Sequence, residues 1–228
     1  MTAPSSDQPP DQPPDQPRYA SPPCYAQDVP GIPAMPVSEV PAWRKAMRAT
    51  LIEKRMATPV AVRKDGAKLV ANLLDGLVKP GPGKVISLYW PFRAELDLRG
   101  WMASAQARGA RIALPLVTAK ARPLAFREWW PGCPMERGVW NIPNPAGTPE
   151  VTPDTVIAPL VGFDPGCFRL GYGGGFFDRT LASLSSRPLV IGVGMPDCAL
   201  PSIHPQPHDI PMNVIALGDG RVYSRRSG

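Results

Sequence analysis

The chain has 228 residues, among them 32 prolines, 21 glycines and four cysteines, and it carries a net charge of +6. Its length suits one α/β domain with appendages. No apolar stretch approaches the roughly 20 residues that a membrane-spanning helix needs, and the N-terminus lacks the basic and apolar regions of a signal peptide. The cysteines lie far apart without a C-x-x-C spacing, which predicts reduced thiols in the cytoplasm rather than a zinc site or a disulfide framework.

The basic residues are spread along the chain and form no long run. Their mild excess is compatible with an anionic small molecule as well as with nucleic acid. We expect small-molecule partners, with no nucleic acid and no membrane, and a chain that is a monomer or a weak homodimer.

The first 37 residues differ in composition from the rest of the chain. A four-residue unit repeats in DQPPDQPPDQP at residues 7–17, and prolines continue through Pro36. Such a segment cannot bury enough apolar surface to offset the entropy lost on ordering. We therefore predict a disordered, proline-rich tail over residues 1–37, either solvated or bound by a proline-recognition module. A single folded domain is expected over residues 38–228.

A first helix is predicted over residues 43–56. Apolar residues at four-residue spacing form one edge of it. Arg44 and Arg48 lie together on an adjoining face, with Arg55 two turns further on. These cations are either a solvated basic face or a pair aimed at phosphates.

Strands and helices alternate through the rest of the chain. The pattern predicts helices at 60–78, 96–108 and 176–185, strands at 84–90, 110–117, 124–130, 156–161 and 189–195, and a terminal hairpin at 212–217 and 221–223. Strand–helix–strand order produces parallel pairs with right-handed crossovers. The predicted fold class is therefore α/β, a single three-layer domain whose mostly parallel sheet is flanked by helices. The second helix is expected to bury an apolar stripe of Leu69, Val70, Leu73, Leu74 and Leu77.

Three loop residues are candidates for ligand contacts. Glu95 follows the strand at 84–90, where α/β sheets bind ligands, although a glutamate there also suits a helix start. Trp140 lies in the stiff turn WNIPNP, where an aromatic ring either stacks on a flat heterocycle or packs hydrophobically. Asp209 is a candidate ligand for a hard cation, whereas the prolines between His204 and His208 argue against a histidine metal pair.

The stretch from Val156 to Leu181 carries the most specific site prediction. A short apolar strand leads through a turn-rich loop to Arg169, to four glycines at 171, 173, 174 and 175, and to a helix start that contains Asp178. Strand, glycine loop and helix together direct backbone N–H groups at an anion. The spacing matches neither G-x-G-x-x-G nor the Walker A loop. Residue types alone therefore predict either a phosphate site, with or without a metal at Asp178, or a flexible turn.

Five motifs in order resemble the 5-formyltetrahydrofolate cyclo-ligase family, also called methenyltetrahydrofolate synthetases. They are the basic residues of the first helix, the strand ISLY followed by Glu95, the turn WNIPNP, the block from Gly162 to Asp178, and HDIPM at 208–212. The resemblance covers residues 43–217. It implies an enzyme that uses ATP and Mg²⁺ to convert 5-formyltetrahydrofolate into 5,10-methenyltetrahydrofolate, with release of ADP and phosphate.

The resemblance also implies roles for individual residues. Arg169 and Asp178 are expected to be catalytic. The residues expected to bind ATP lie on the first helix and the glycine loop: Arg44, Lys45, Arg48, Arg169, Leu170, Gly171, Tyr172, Gly173, Gly174, Gly175, Phe176 and Phe177. The residues expected to bind the folate are Trp90, Glu95, Trp140 and Phe176, and those expected to hold Mg²⁺ are Asp178 and Asp209.

The chain departs from the family's usual pattern in three ways. Arg44 replaces a lysine, Phe176 and Phe177 lack a tyrosine hydroxyl that is often present, and Asn213 stands where an acidic residue is common. These departures leave the predicted binding intact and bear on fine substrate choice. Two alternatives stay open: a nucleotide-binding accessory or regulatory paralogue without cyclo-ligase activity and, on charge alone, a nucleic-acid-binding protein.

Overall fold

The computed structural model of the chain describes residues 35–225. The predicted tail over residues 1–37 therefore lies almost entirely outside the described residues. The helices are α1 (Val40–Ala57), α2 (Val60–Val78), α3 (Arg99–Ala107) and α4 (Phe176–Ser183). The strands are β1 (Val85–Ser87), β2 (Arg111–Val117), β3 (Leu124–Trp129), β4 (Met135–Arg137), β5 (Pro143–Pro145), β6 (Thr155–Pro159), β7 (Gly162–Phe163), β8 (Arg169–Leu170), β9 (Leu189–Gly194), β10 (Val214–Leu217) and β11 (Val222–Ser224). None of the described helices is long and apolar enough to cross a membrane.

Seven strands form one sheet in the order β11-β10-β9-β6-β1-β2-β3. The five central strands are parallel, and the edge strands β11 and β3 are antiparallel to their neighbours. This arrangement confirms the predicted α/β class with a mostly parallel sheet. The chain passes from β1 to β2 on one side and later returns to β6 on the other side, so the strand order reverses beside β1. Sheets of this kind bind ligands at the carboxyl ends of the strands next to such a reversal.

Side chains of the central strands alternate between two cores, one on each face of the sheet. In β6, Ile157 packs into the core that contains α2 and α3, whereas Val156 and Ala158 pack into the core that contains α4. Burying an aliphatic side chain fully contributes about 1.5–3 kcal/mol, so these two cores supply most of the stability of the layered fold. The three predicted layers are thus helices, sheet and helix.

The apolar stripe of α2 is narrower than the sequence predicted. Val70 and Leu74 are fully buried, and Leu73 and Leu77 are partly buried against the same core. Leu69 is 43% exposed, so its assignment to the stripe was wrong. One residue step turns a helix by about 100°, which carries Leu69 away from the face that Val70 shares with the sheet.

The segment between β1 and α3 also differs from the prediction. β1 ends at Ser87 and α3 begins at Arg99, so the expected strand over residues 84–90 and the expected helix over residues 96–108 are both shorter. The hydroxyl of Tyr89 donates to the carbonyl of Leu96 at 2.9 Å, and both residues are buried. Packing of this loop against the core outweighs the local preference for strand and helix.

Helix α1 differs from the other helices because it buries arginines. Its buried residues are Val40, Arg44 and Arg55. Three arginines of this helix donate to the backbone carbonyls of Ile203, Gly171 and Arg93, which all lie in loops that follow strands. These hydrogen bonds hold α1 across the loops at the carboxyl edge of the sheet.

Candidate active site

A cavity of about 230 Å³ opens at the carboxyl ends of the central strands. Trp90, Pro115 and Pro159 line it at the ends of β1, β2 and β6. The other walls come from α1, from the glycine loop at residues 171–175 and from the turn that carries Trp140. The cavity therefore lies where the strand order reverses, the place at which sheets of this type bind ligands.

The glycine loop connects β8 to α4 along one wall of the cavity. Gly173 and Gly175 have φ values of +91° and +62°, a backbone conformation that residues with a Cβ rarely adopt. A Cβ at Gly173 would also lie 3.2 Å from the guanidinium carbon of Arg48. Gly175 caps α4, so the loop brings the first N–H groups of that helix to the cavity wall. This geometry suits an anionic group.

Two arginines of α1 line the cavity beside the glycine loop. The Nε of Arg48 donates to the carbonyl of Gly171 at 2.7 Å, and burial, together with the neighbouring Arg44 cation, lowers the pKa of Arg48. Arg44 is 8% exposed, and its guanidinium donates to both carboxylate oxygens of Asp209, at 2.5 and 3.3 Å. It also donates to the carbonyl of Ile203 at 2.9 Å. Protein contacts thus orient both cations before any ligand binds.

A second buried ion pair joins β8 to α4. Arg169 donates from a terminal nitrogen to Asp178 at 3.1 Å, and the two side chains are only 5% and 15% exposed. The guanidinium of Arg169 also lies over the ring of Phe177, 4.8 Å from its centroid. Among the described residues, the Nε of Arg169 has no hydrogen-bond acceptor. A guanidinium that an ion pair orients at the cavity wall is suited to an anion that enters the cavity.

The two aspartates predicted to hold Mg²⁺ line the same cavity. The backbone N–H of Ile210 donates to Asp178 at 3.3 Å, so Asp178 lies against the residue next to Asp209. Within residues 35–225 no group of three or more histidine, cysteine or acidic side chains could hold a metal ion. Mg²⁺ in nucleotide sites usually takes one or two carboxylates and completes its shell with phosphate oxygens and water. The pair fits that donor set, although each aspartate is also paired with an arginine, Asp178 with Arg169 and Asp209 with Arg44.

Glu95 forms a buried wall of the cavity and is 8% exposed. One carboxylate oxygen accepts from the hydroxyl of Tyr172 at 2.8 Å, and the other accepts from the backbone N–H of Phe92 at 2.9 Å. Burial raises the pKa of Glu95 to about 7, while the nearby Arg55 cation and these hydrogen bonds oppose that rise. The carboxylate can accept N–H donors of a ligand, and its charge changes near neutral pH.

Aromatic side chains border the cavity. The rings of Trp140 and Phe176 meet edge to face, with centroids 6.1 Å apart. Trp140 is 54% exposed and has a φ of +56°, which is uncommon for a residue with a large side chain. Trp90 lies on another wall, with the guanidinium of Arg99 over its ring. An exposed tryptophan held in a strained backbone beside a cavity suits stacking on a flat ring.

The structure brings most of the predicted site residues together, with two exceptions. Lys45 is exposed and does not line the cavity, since it lies about 100° around α1 from Arg44. Leu170 is buried in the core rather than in the cavity wall. Neither Arg55 nor His208 was among the predicted site residues, although His208 lines the cavity and Arg55 contacts the glycine loop. Arg55 follows Arg44 by eleven residues, close to three helical turns, and that spacing could have identified it.

Comparison with known proteins agrees with this geometry. The model of the 5-formyltetrahydrofolate cyclo-ligase family matches residues 40–218. A protein from Mycolicibacterium smegmatis named 5-formyltetrahydrofolate cyclo-ligase is 30% identical over 180 residues, which cover 75% of this chain and 92% of the relative. One of the same name from Haemophilus influenzae is 28% identical over 151 residues, which cover 62% of this chain and 80% of the relative. The NMR structure of Aquifex aeolicus 5,10-methenyltetrahydrofolate synthetase matches with a TM-score of 0.69 at 24% identity, covering 81% of this chain and 94% of that one.

The fold and the cavity define a doubly wound α/β protein with a glycine loop, of a geometry that suits an anion, beside the reversal of strand order. The chain belongs to the 5-formyltetrahydrofolate cyclo-ligase family, as its five motifs predicted. This membership places it among enzymes. The family match includes α1 and every strand from β1 to β10, so all the walls of the cavity lie within it.

Proposed function

We propose that this chain converts 5-formyltetrahydrofolate and ATP into 5,10-methenyltetrahydrofolate, ADP and phosphate. The single observation that carries the proposal is that one cavity combines two kinds of wall. One wall has the glycine loop and three arginines, which suit phosphates, and another has a buried carboxylate and aromatic rings, which suit a flat heterocycle. Substrates that react with each other need such a shared cavity.

The reaction proceeds by activating a poor leaving group. The formyl oxygen attacks the γ-phosphorus of ATP, the bond to the bridging oxygen breaks, and ADP leaves. N10 of the folate then attacks the formyl carbon and loses its proton. Phosphate departs with the former formyl oxygen, and the five-membered ring closes. The enzyme's contribution is to position the two substrates and to neutralise charge on the transferring phosphoryl group.

The phosphate side of the site supplies the charge neutralisation. In this proposal the N–H groups of the glycine loop, together with Arg48 and Arg169, bind the triphosphate. The pairing of Arg169 with Asp178 keeps its guanidinium oriented at the cavity wall. Asp178 and Asp209 would hold Mg²⁺, which neutralises phosphate charge when it is bound. Arg44 orients Asp209 through their ion pair and faces the same phosphates.

The folate side of the site orients the ring system. Glu95 accepts N–H donors of the pterin, and Trp90 packs beside it. Trp140 and Phe176 contact the remaining aromatic part of the substrate at the open edge of the cavity. Tyr172 was expected to bind ATP; its backbone stays in the glycine loop, but its hydroxyl is directed to Glu95 and so belongs to the folate side.

The reaction is proposed to take place in the cytoplasm, with the two small molecules as the only required partners and a monomer or weak homodimer as the active form. The three cysteines within residues 35–225, Cys133, Cys167 and Cys198, are unpaired and buried, which suits a reducing compartment.

The decisive test is formation of the methenyl product. Purified full-length chain with 5-formyltetrahydrofolate, ATP and Mg²⁺ should develop the absorbance of 5,10-methenyltetrahydrofolate, with one ADP released per product. Asp178→Asn should lose turnover at ordinary Mg²⁺ concentrations, since it removes a carboxylate from the phosphate side. Asp65→Asn is the matched control, because Asp65 is exposed and pairs only with Lys68 on α2.

Other outcomes would identify a different function. Binding of ATP without product at any folate concentration would favour a nucleotide-binding accessory or regulatory paralogue. Tight and salt-sensitive binding to random oligonucleotides would favour a nucleic-acid-binding protein.

A further inference from the structure

Arg55 is a buried arginine outside the cavity lining, and its contacts join four parts of the fold. Only 6% of the residue is exposed. Its Nε donates to the carbonyl of Arg93 at 2.9 Å, and one terminal nitrogen donates to the hydroxyl of Tyr172 at 2.5 Å. The other terminal nitrogen makes a longer contact of 3.4 Å to the carbonyl of Leu160. Arg55 thereby connects α1 to the loop after β1, to the segment after β6 and to the glycine loop.

The contact to Arg93 supports a strained turn. Arg93 and Ala94 have φ values of +46° and +60°, which non-glycine residues rarely adopt. Such a conformation persists only where the surrounding structure holds it, and it is common at functional sites. Three hydrogen bonds hold this turn: Arg55 donates to the Arg93 carbonyl, the Phe92 N–H donates to the Glu95 carboxylate, and the Glu95 N–H donates to the Phe92 carbonyl at 3.2 Å. The turn in its strained form is what directs Glu95 into the cavity wall.

The contact to Tyr172 fixes the direction of a hydrogen-bond chain. A guanidinium can only donate, so the Tyr172 oxygen accepts from Arg55. The single hydroxyl proton of Tyr172 is then donated to Glu95, 2.8 Å away. The second oxygen of Glu95 already accepts a backbone N–H. Both oxygens are thus acceptors, an arrangement that favours the ionised carboxylate.

We propose that Arg55 is a positioning residue for the folate side of the site. Through the Arg93–Ala94 turn and the Tyr172 hydroxyl, Arg55 holds Glu95 in place as a carboxylate that accepts ring N–H donors. This inference rests on the proposed function for the identity of the donor, a 2-amino-4-oxo heterocycle. It adds a residue that touches neither substrate and acts through two others.

The charges around Glu95 support this role. The groups that face it are Arg55 from α1, Tyr172 from the glycine loop and Tyr89 from the segment after β1. Burial raises the pKa of Glu95, and the Arg55 cation is the largest of the influences that oppose the rise. Removing Arg55 should therefore leave Glu95 protonated at neutral pH, where a carboxylic acid accepts ring N–H donors less well.

The test uses the full-length chain with three substitutions. Arg55→Met removes the cation, Tyr172→Phe removes only the hydroxyl link, and Lys54→Met is the matched control on the neighbouring residue, whose partner Asp197 is on the surface. The titration midpoint of Glu95 is measured by ¹³C NMR of labelled glutamate carboxyls, with Glu95→Gln to assign the signal. We expect a midpoint near pH 7 in the native chain, a rise of about one pH unit or more in Arg55→Met, a smaller rise in Tyr172→Phe, and none in Lys54→Met.

Kinetics provide the second readout. In Arg55→Met, kcat/KM for 5-formyltetrahydrofolate at pH 7 should fall by about tenfold to a hundredfold, as expected for a displaced binding group. It should recover in part as pH rises, because alkali restores the carboxylate. KM for ATP should change by less than about twofold, since the phosphate side is intact. A loss that is equal at every pH and for both substrates would mean that Arg55 only stabilises the fold.

An unchanged Glu95 midpoint in both variants would overturn the inference. If Arg55→Met does not fold, Tyr172→Phe decides, since it keeps the backbone contacts of Arg55. If the native chain forms no methenyl product, the proposed function fails, whereas the NMR midpoints still decide whether Arg55 and Tyr172 control the ionisation of Glu95.

Discussion

Individual charged residues of this protein gain their properties from burial. Glu95 lies in the cavity wall, where loss of hydration raises its pKa from the ordinary 4.5 to about 7. Arg44 and Arg169 are nearly as buried, and each is paired with an aspartate. Truncating one partner of a buried pair leaves an uncompensated charge, so these residues stabilise the site only together. Of these three residues, Glu95 makes the fold sensitive to pH, because burial brings its pKa to about 7.

Glu95→Gln should raise the free energy of unfolding while lowering kcat/KM for the folate. The pKa of Glu95 is higher in the native state than in the unfolded state. The protonated carboxyl therefore contributes to stability below about pH 4.5, and this contribution is lost as the pH rises through 7. The substituted amide carries no charge to desolvate, so the free energy of unfolding should rise in the variant by up to about 3 kcal/mol at pH 8, and by much less at pH 4.5. Urea unfolding at the two pH values measures this, while kcat/KM for the folate should fall. A stability difference that does not depend on pH would contradict the raised pKa.

Helices α1 and α2 show how single elements serve the site in different ways. α1 is attached to the loops of the carboxyl edge by arginine hydrogen bonds, whereas α2 packs on the sheet through Val70 and Leu74. α2 also approaches the backbone beyond β10 closely, at Gly66. Leu96, the residue after Glu95, packs against the same glycine. The contact at Gly66 therefore supports one side of the loop that carries Glu95.

The two glycines within α2 should respond in opposite directions to substitution. A Cβ at Gly66 would lie 3.1 Å from the backbone oxygen of Gly218, so Gly66→Val should destabilise the protein by about 1–3 kcal/mol through overpacking. A Cβ at Gly76 meets nothing within 4 Å, so Gly76→Ala should stabilise it by about 0.5–1 kcal/mol through helix propensity. Thermal and urea unfolding measure both, and stabilisation by Gly66→Val would show that the backbone contact is not tight.

At the scale of the whole molecule, the site depends on assembly of the complete sheet. The cavity takes walls from α1 near the beginning of the chain and from Asp209 near its end. Two-state unfolding of the folded domain should therefore abolish the whole cavity at once. At the N-terminal end of the described residues, the backbone N–H of Glu39 donates to the carbonyl of Pro36, and Val40 is the first buried residue.

A chain that begins at Met35 should retain the melting temperature and kcat/KM of the full-length protein, because the proline-rich composition of the removed segment offers little apolar surface to bury. A chain that begins at Met47 is the matched control, since it also lacks Val40 and Arg44 and should lose stability and activity. Differential scanning calorimetry and the methenyl assay compare the three chains. A large loss in the Met35 chain would mean that the tail contributes to the folded domain.

The order of the longer helices and strands, the fold class and the position of the glycine loop follow from the chain alone, since they depend on local hydrophobic period and on glycine spacing within short segments. The short strands β4, β5, β7 and β8 were not predicted, because two or three residues carry no periodic signal. Which polar residues meet was decided only by the tertiary structure. Arg55 and Tyr172 are 117 residues apart, and Tyr172 and Glu95 are 77 apart, so no local pattern could pair them. The raised pKa of Glu95 has the same origin, because it results from burial by elements distant in sequence. Lys45 is the opposite case: its positive charge suits the ATP contact that was expected, but the helix directs its side chain to solvent.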